Sequence, residues 1–233
     1  MRPESAPVSS CAVAVDVAAL AIEDGRLTLL LVEPDDTGQA GRWSLPGRRV
    51  RDDESLDATA LRALSELIGS EEPAVLLEQL RTYGAPARDP RARVVSVAYL
   101  ALAATPLVPS ARRRTTVVTA AEAAGWPEER YAYDHAAIVV DALERLRAKL
   151  EYTSLATALL EEPFTLGELR TVYEAVWDVE LDPANFRRKV VSTPGFVREA
   201  DGTAPSGPSG GRPARRYLAG GATRLHPAML RDR

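Results

Sequence analysis

The 233-residue chain has one cysteine, Cys11. That excludes an internal disulfide and any zinc site built from several thiolates. Its two histidines, His135 and His226, stand too far apart to give a metal-ligand spacing. No apolar run approaches the roughly 20 residues that a membrane-spanning helix needs. The apolar stretch CAVAVDVAAL at residues 11–20 carries Asp16 and has no basic run before it. It reads as a buried strand, not as a signal peptide. A soluble cytoplasmic protein with no membrane partner is the expectation.

What is present suits a packed core. Apolar residues make up 45% and charged residues 27%, and the length suffices for two ordinary domains. The net charge of −4 is unevenly spread. Residues 185–218 hold seven basic side chains (Arg187, Arg188, Lys189, Arg198, Arg212, Arg215, Arg216) against two acidic ones, Glu199 and Asp201. Such a patch on an acidic chain is either a polyanion-facing surface or a solvated face.

In chain order, residues 1–8 read as a loose arm. Val13–Leu20 and Leu27–Val32 are expected strands joined at Asp24-Gly25, a strong hairpin signal. Trp43–Ser70 then reads as a strand end, a Pro46-Gly47 turn, an acidic loop and a helix. Its apolar positions Leu56, Ala60, Leu61, Leu64, Leu67 and Ile68 fit a 3.6 period, and Gly69 stops it. Strands are expected at 76–83 and 94–103. Between them lies a loop with Arg88, Arg91 and Arg93, whose arginines either face an anion or stay solvated. A connector at 104–130 leads to a long helix over Tyr131–Leu150. His135, near its start, either faces a ligand or caps and packs.

Composition changes near residue 151. Thr165-Leu166-Gly167-Glu168 is a capping box, with Leu166, Leu169, Val172, Tyr173 and Val176 expected inward. Asp182-Pro183 starts a second helix, in which Phe186, Val190 and Val191 are expected to face the core and Asn185, Arg188 and Lys189 to face out. Strand Phe196–Glu199, a Gly/Ser/Pro-rich segment expected to be flexible, and the basic strand at 211–218 complete a winged helix-turn-helix. Arginine and lysine there would meet phosphates, and asparagine or arginine at the helix front would read base edges.

The segment from residue 48 to 70 resembles the Nudix box, G-x5-E-x7-R-E-U-x-E-E-x-G-U. Without a gap, Arg48 falls on the first glycine, Glu54 on the first glutamate and Arg62 on the arginine. Ala63 stands at the next glutamate position. Glu66 matches the first of the paired glutamates, Leu67 replaces the second, and Gly69 matches. Positions 63, 66 and 67 share one helical face, where three carboxylates would hold magnesium. One carboxylate is a poor trap, so neither hydrolysis nor a bound metal or other cofactor is expected.

The order of a degenerate Nudix box followed by a winged helix resembles the Nudix-related transcriptional regulators called NrtR, over residues 11–218. The resemblance implies an α+β chain: a Nudix-type α/β/α sandwich with a mixed sheet at residues 1–150, then a winged helix-turn-helix at residues 151–233. It implies a homodimeric repressor of NAD-metabolism genes. Such a repressor would bind a palindromic operator of double-stranded DNA and release it on sensing ADP-ribose or a related nucleotide. Carried over, Arg48, Arg49, Glu54, Arg62, Glu66, Arg88, Arg93 and His135 are candidate ligand residues. Asn185, Arg187, Arg188 and Lys189 on the helix, with Arg212, Arg215 and Arg216 on the wing, are candidate DNA contacts. The alternatives are a sugar-catabolism regulator of the same build, a Nudix hydrolase of ADP-ribose-type substrates, and a constitutive DNA binder that uses its Nudix domain only to dimerise.

Overall fold

The structure is a computed structural model describing residues 10–35, 37–110, 113–204 and 214–230. The first two strands, β1 (Ala12–Glu23) and β2 (Arg26–Val32), pair antiparallel. Their turn places Asp24 at φ 47° and Gly25 at φ 73°, the two left-handed residues a tight hairpin requires. Then come β3 (Gly47–Arg49), α1 (Leu56–Ile68), β4 (Val75–Tyr83), β5 (Val94–Ala103), β6 (Thr115–Thr119) and the short α2 (Ala120–Ala124). The sheet order is β4-β5-β1-β2-β6, with β3 also paired to β1. Strands β1 and β5 run parallel and the other pairs antiparallel, so the sheet is mixed.

Alternation along β1 divides the core between two layers. Val15, Val17 and Ala19 meet Ala60, Leu64 and Leu67 of α1. Ala18 and Leu20 face the other way, toward Ile138, Val139, Ala142 and Leu146 of α3 (His135–Tyr152). This is the expected α/β/α sandwich. Helix α1 keeps the predicted stop, with Gly69 at φ 71° donating its N–H to the Ser65 carbonyl. Ala63 and Leu67 are buried against the sheet while Glu66 is exposed, so the three box positions do not share a face toward solvent.

Helix α3 starts four residues later than the sequence suggests. Tyr133 sits at φ 55°, which no helix accommodates. Tyr131 is instead buried, its hydroxyl donating to the Ala123 carbonyl at 2.6 Å, and it bridges Trp43. The connector before it supplies β6 and α2, and the helix runs to Tyr152, past the expected domain boundary.

A 3-10 turn (Ser154–Leu159) leads to β7 (Phe164–Thr165), α4 (Leu166–Trp177), α5 (Pro183–Ser192), β8 (Val197–Ala204) and β9 (Ala214–Ala219). The last sheet is ordered β7-β9-β8, a helix pair with a wing. Both predicted caps form: the Thr165–Glu168 box on α4, and Asp182 accepting from the Asn185 N–H on α5. Val191 differs from expectation. It is 56% exposed, because the inward stripe of α5 is Phe186 and Val190, and the next position turns about 100° away.

The two halves share one apolar cluster, from Ala18 to Met229. Tyr173 Oη donates to the Leu150 carbonyl at 3.2 Å. Beyond the wing, the N–H groups of Leu225 and Met229 donate to the carbonyls of Tyr152 and Glu151, each at 2.8 Å. The end of the chain thus grips the junction itself. Among the described residues no helix is long and apolar enough to cross a membrane. The expected N-terminal arm and most of the Gly/Ser/Pro-rich segment lie outside the described residues.

Candidate ligand cleft and nucleic-acid interface

A cleft of about 320 Å³ opens where β1, β3, the arginine loop and the start of α3 meet. Its floor is a buried polar network. Asp16, the one charge inside β1 before its terminal Glu23, accepts from Ser96 Oγ at 2.5 Å and from Arg88 Nη2 at 3.3 Å. Arg88 also donates from Nε and Nη2 to Asp134, at 3.0 and 2.6 Å. Burial alone would raise the Asp16 carboxyl, but His135, Ser96 and Arg88 outweigh it and hold the pKa at about 2. His135 Nδ1 accepts the Leu45 N–H at 2.9 Å, so its lone pair is engaged and the proton sits on Nε2, 3.4 Å from Asp16. Gly47 is required here. A Cβ at that position would overlap the Asp16 carboxylate and come within 2.8 Å of the Val15 carbonyl.

Beside the cleft, the retained box residues close on one another. Arg48 Nε donates to Glu66 at 2.7 Å, and its Nη2 forms an ion pair with the same carboxylate. Arg62 donates to Glu54 from Nε at 2.6 Å and from Nη2 at 2.8 Å, and lies 3.5 Å from Glu66. The Arg62 hydrogen bonds hold Glu54 at a pKa of about 2. Burial works against ionisation of Glu66, yet Arg48 and Arg62 prevail and keep it below the usual carboxylate range.

A divalent ion fits this set poorly. Ala63 and Leu67 offer no oxygen, and both remaining carboxylates already carry guanidinium partners. Magnesium wants several free oxygen ligands in near-octahedral array.

Of the expected ligand residues, Arg48, Arg49, Arg88 and His135 line the cleft. Glu54, Arg62 and Glu66 stand behind it, tied in through Arg48. Arg93 does not line it; its Nη1 turns to the carbonyls of Ala85 and Val94. Arg88 is neither solvated nor free, since two carboxylates consume its fork. His135 packs at 2% exposure, as one of its two readings expects, and it also lies in the cleft wall. Sequence reasoning missed Asp16, Arg91, Arg113 and Tyr133 as lining residues. A signal existed for Asp16, because a lone charge on a strand buried on both faces must find a partner. None existed for Tyr133.

On the winged half, Arg187, Arg188 and Val191 are exposed on α5, with Ala184 one turn before. Their i, i+3, i+4, i+7 spacing makes them one outward face. Arg188 Nη2 donates to Asn185 Oδ1 at 2.9 Å, which pre-sets both side chains at the helix front. Lys189 is half-buried. On the wing, Arg215 pairs with Glu199 at 2.8 Å. Arg216 is anchored inward: its Nε and Nη2 donate to the Pro163 carbonyl at 3.1 and 2.6 Å. Arg212 lies outside the described residues.

The NUDIX domain profile matches residues 12–138, and that of the NrtR DNA-binding winged helix domain matches residues 156–218. The ADPR responsive transcriptional repressor NtrR of Acinetobacter baylyi is 33% identical over 211 residues, covering 87% of this chain and 80% of that protein. The crystal structure of Shewanella oneidensis NrtR superposes with a TM-score of 0.78 at 30% identity, over 93% of this chain and 99% of that one. The same protein complexed with a 27mer DNA gives 0.73 at 30% identity, over 89% and 93%. Its NUDIX domain complexed with ADP ribose gives 0.51 at 32% identity, over 59% and 89%. With both domains matched in order, and a third of residues identical to a repressor over most of its length, this chain belongs to the NrtR family of Nudix-related transcriptional regulators.

Proposed function

We propose that this chain is a transcriptional repressor of NAD-metabolism genes. It binds operator DNA through α5 and the wing, and releases it when ADP-ribose or a close relative enters the Nudix cleft. One observation carries the reading: a single helix joins the two sites. Helix α3 begins in the cleft, where His135 lines the wall and Asp134 holds Arg88. Eighteen residues on, about 27 Å away, it ends at the winged domain. There Arg147, Leu150, Glu151 and Tyr152 bond to α4 and to the end of the chain. A ligand that shifts Asp134 or His135 acts on a rod packed against α4, on which α5 in turn packs. The relatives' complexes with DNA and with ADP ribose support the same pairing of sites.

The domain does not act as a hydrolase. Metal-assisted attack on a diphosphate needs an ion that both activates water and neutralises phosphate charge, and the box carboxylates are tied to arginines. Operator binding is as a homodimer, since one small winged domain offers too little contact for tight specific binding. The ligand must favour the DNA-free form, because equal affinity for both forms shifts nothing. A coupling of about 1–3 kcal/mol is typical. Titrating ADP-ribose into a preformed complex with DNA from the chain's own upstream region, followed by fluorescence anisotropy, tests it. Release at saturating ligand is expected, and its absence would reject ADP-ribose as effector.

A further inference from the structure

We infer that the phosphates of a nucleoside diphosphate are held in the Nudix cleft by the guanidinium groups of Arg48 and Arg113, so that binding needs no magnesium. This rests on the cleft being the effector site, and adds how the anion is held.

Three observations carry it. Arg48 occupies the box glycine position, lines the cleft and is clamped on Glu66 through Nε and Nη2. It therefore sits on the carboxylate that a metal would use, with its side chain still 24% exposed. Its Nη1 also donates to the Gly47 carbonyl at 2.8 Å, so the plane is fixed and the N–H groups left over on Nη1 and Nη2 point in a set direction, as recognition of phosphate oxygens requires. Second, Arg113 also lines the cleft, and its Nη1 is buried with no hydrogen-bond partner among the described residues. Its Nη2 is anchored on the Glu33 carbonyl and on Asp35, at 3.1 and 2.6 Å. A buried donor left unpaired costs free energy that an incoming anion would recover. Third, the other carboxylates are committed elsewhere. Asp16 is saturated by Ser96, Arg88 and His135, and Asp89 is taken by Arg91. The cleft thus offers anchored cations and few free oxygens, the reverse of a magnesium site.

Calorimetric titration of the full chain decides the matter, with ADP-ribose and with inorganic pyrophosphate, each in EDTA and in excess magnesium. At least one probe should bind the wild type equally in both buffers. Arg48→Gly, which restores the box glycine, should weaken binding in EDTA by about tenfold or more. Arg48→Gln keeps most of the volume and should do the same, so a folding defect in the first variant is separable. Arg113→Leu should lose a similar factor, and Arg113→Lys, which keeps the charge without the fork, should recover part of it. A wild type that gains tenfold affinity from magnesium would overturn the inference. So would Arg48 variants that bind as the wild type does. Pyrophosphate bound without metal while ADP-ribose is ignored would keep the inference and reject the effector. Binding of neither probe would reject both.

Discussion

The indole N–H of Trp177 donates to the Arg147 carbonyl at 3.1 Å, and Arg147 Nε donates back to the carbonyl of Val176, also at 3.1 Å. This reciprocal pair staples α3, whose first residue lines the ligand cleft, to α4, against which the DNA-facing helix packs. Trp177 is further fixed by an edge-on contact with Tyr173, whose ring also meets Phe186 of α5. The end of α3 is thus joined to α5 by packed rings and two hydrogen bonds.

Removing one of those bonds should weaken the coupling before it weakens the fold. Trp177→Phe keeps an aromatic ring and loses the indole N–H. It should cost about 1 kcal/mol in chemical denaturation. The operator affinity should shift less than the ADP-ribose effect on that affinity does. A variant with unchanged ligand-induced release would show that the staple is structural only.

Hydrolysis should be absent. Incubation of the chain with ADP-ribose and magnesium, followed by chromatography for AMP, should show no multiple turnover. The reason is geometric: Ala63 and Leu67 are buried in the sheet-facing layer, and Glu66 is held by Arg48. Metal-dependent turnover that disappears in Glu66→Gln would reject this assignment.

The arginines of the winged half should separate into two classes. Arg188 points away from the core and is set by Asn185, so Arg188→Ala should cost about 1–3 kcal/mol on operator DNA and blur the sequence preference. Val191 lies exposed on the same face, and its methyls suit a thymine methyl; Val191→Asn should alter preference more than overall affinity. Arg216 is different. Its two donations to Pro163 join β9 to the start of the domain. Arg216→Ala should lower the melting temperature and leave the salt dependence of DNA binding nearly unchanged. A drop of one unit in the salt slope would restore Arg216 to the phosphate contacts.

Acid should find Asp16. Its folded pKa, about 2, lies below the ordinary 3.8, so the ionised form stabilises the fold above about pH 4. That contribution, on the order of 2 kcal/mol, is lost as pH falls through about 2. Stability measured by urea denaturation should decline between those limits, and Asp16→Asn should flatten the decline while lowering stability near neutral pH. An equal slope in both proteins would place the acid sensitivity elsewhere.

What the sequence by itself determined is what local chemistry decides. Asp24-Gly25 makes a left-handed turn, Gly69 ends α1, Thr165 and Glu168 cap α4, and Asp182-Pro183 opens α5. Each acts within a few residues, so no distant contact can overrule it cheaply. The missing box carboxylates were equally legible, because a side chain without oxygen cannot ligate a hard ion wherever it lies. What only the tertiary structure decided is which charges remain available. Arg88 meets Asp16 across 72 positions and His135 meets Leu45 across 90, so one loop arginine is consumed and one ring nitrogen of the histidine is taken as an acceptor. Arg216 reaches Pro163 across 53 positions and spends two of its donors inside the domain. Arg48 reaches Glu66 across 18 and takes a carboxylate that a metal would otherwise hold. A charged side chain is long, and its role is set by the nearest opposite charge in space, which a linear pattern does not contain.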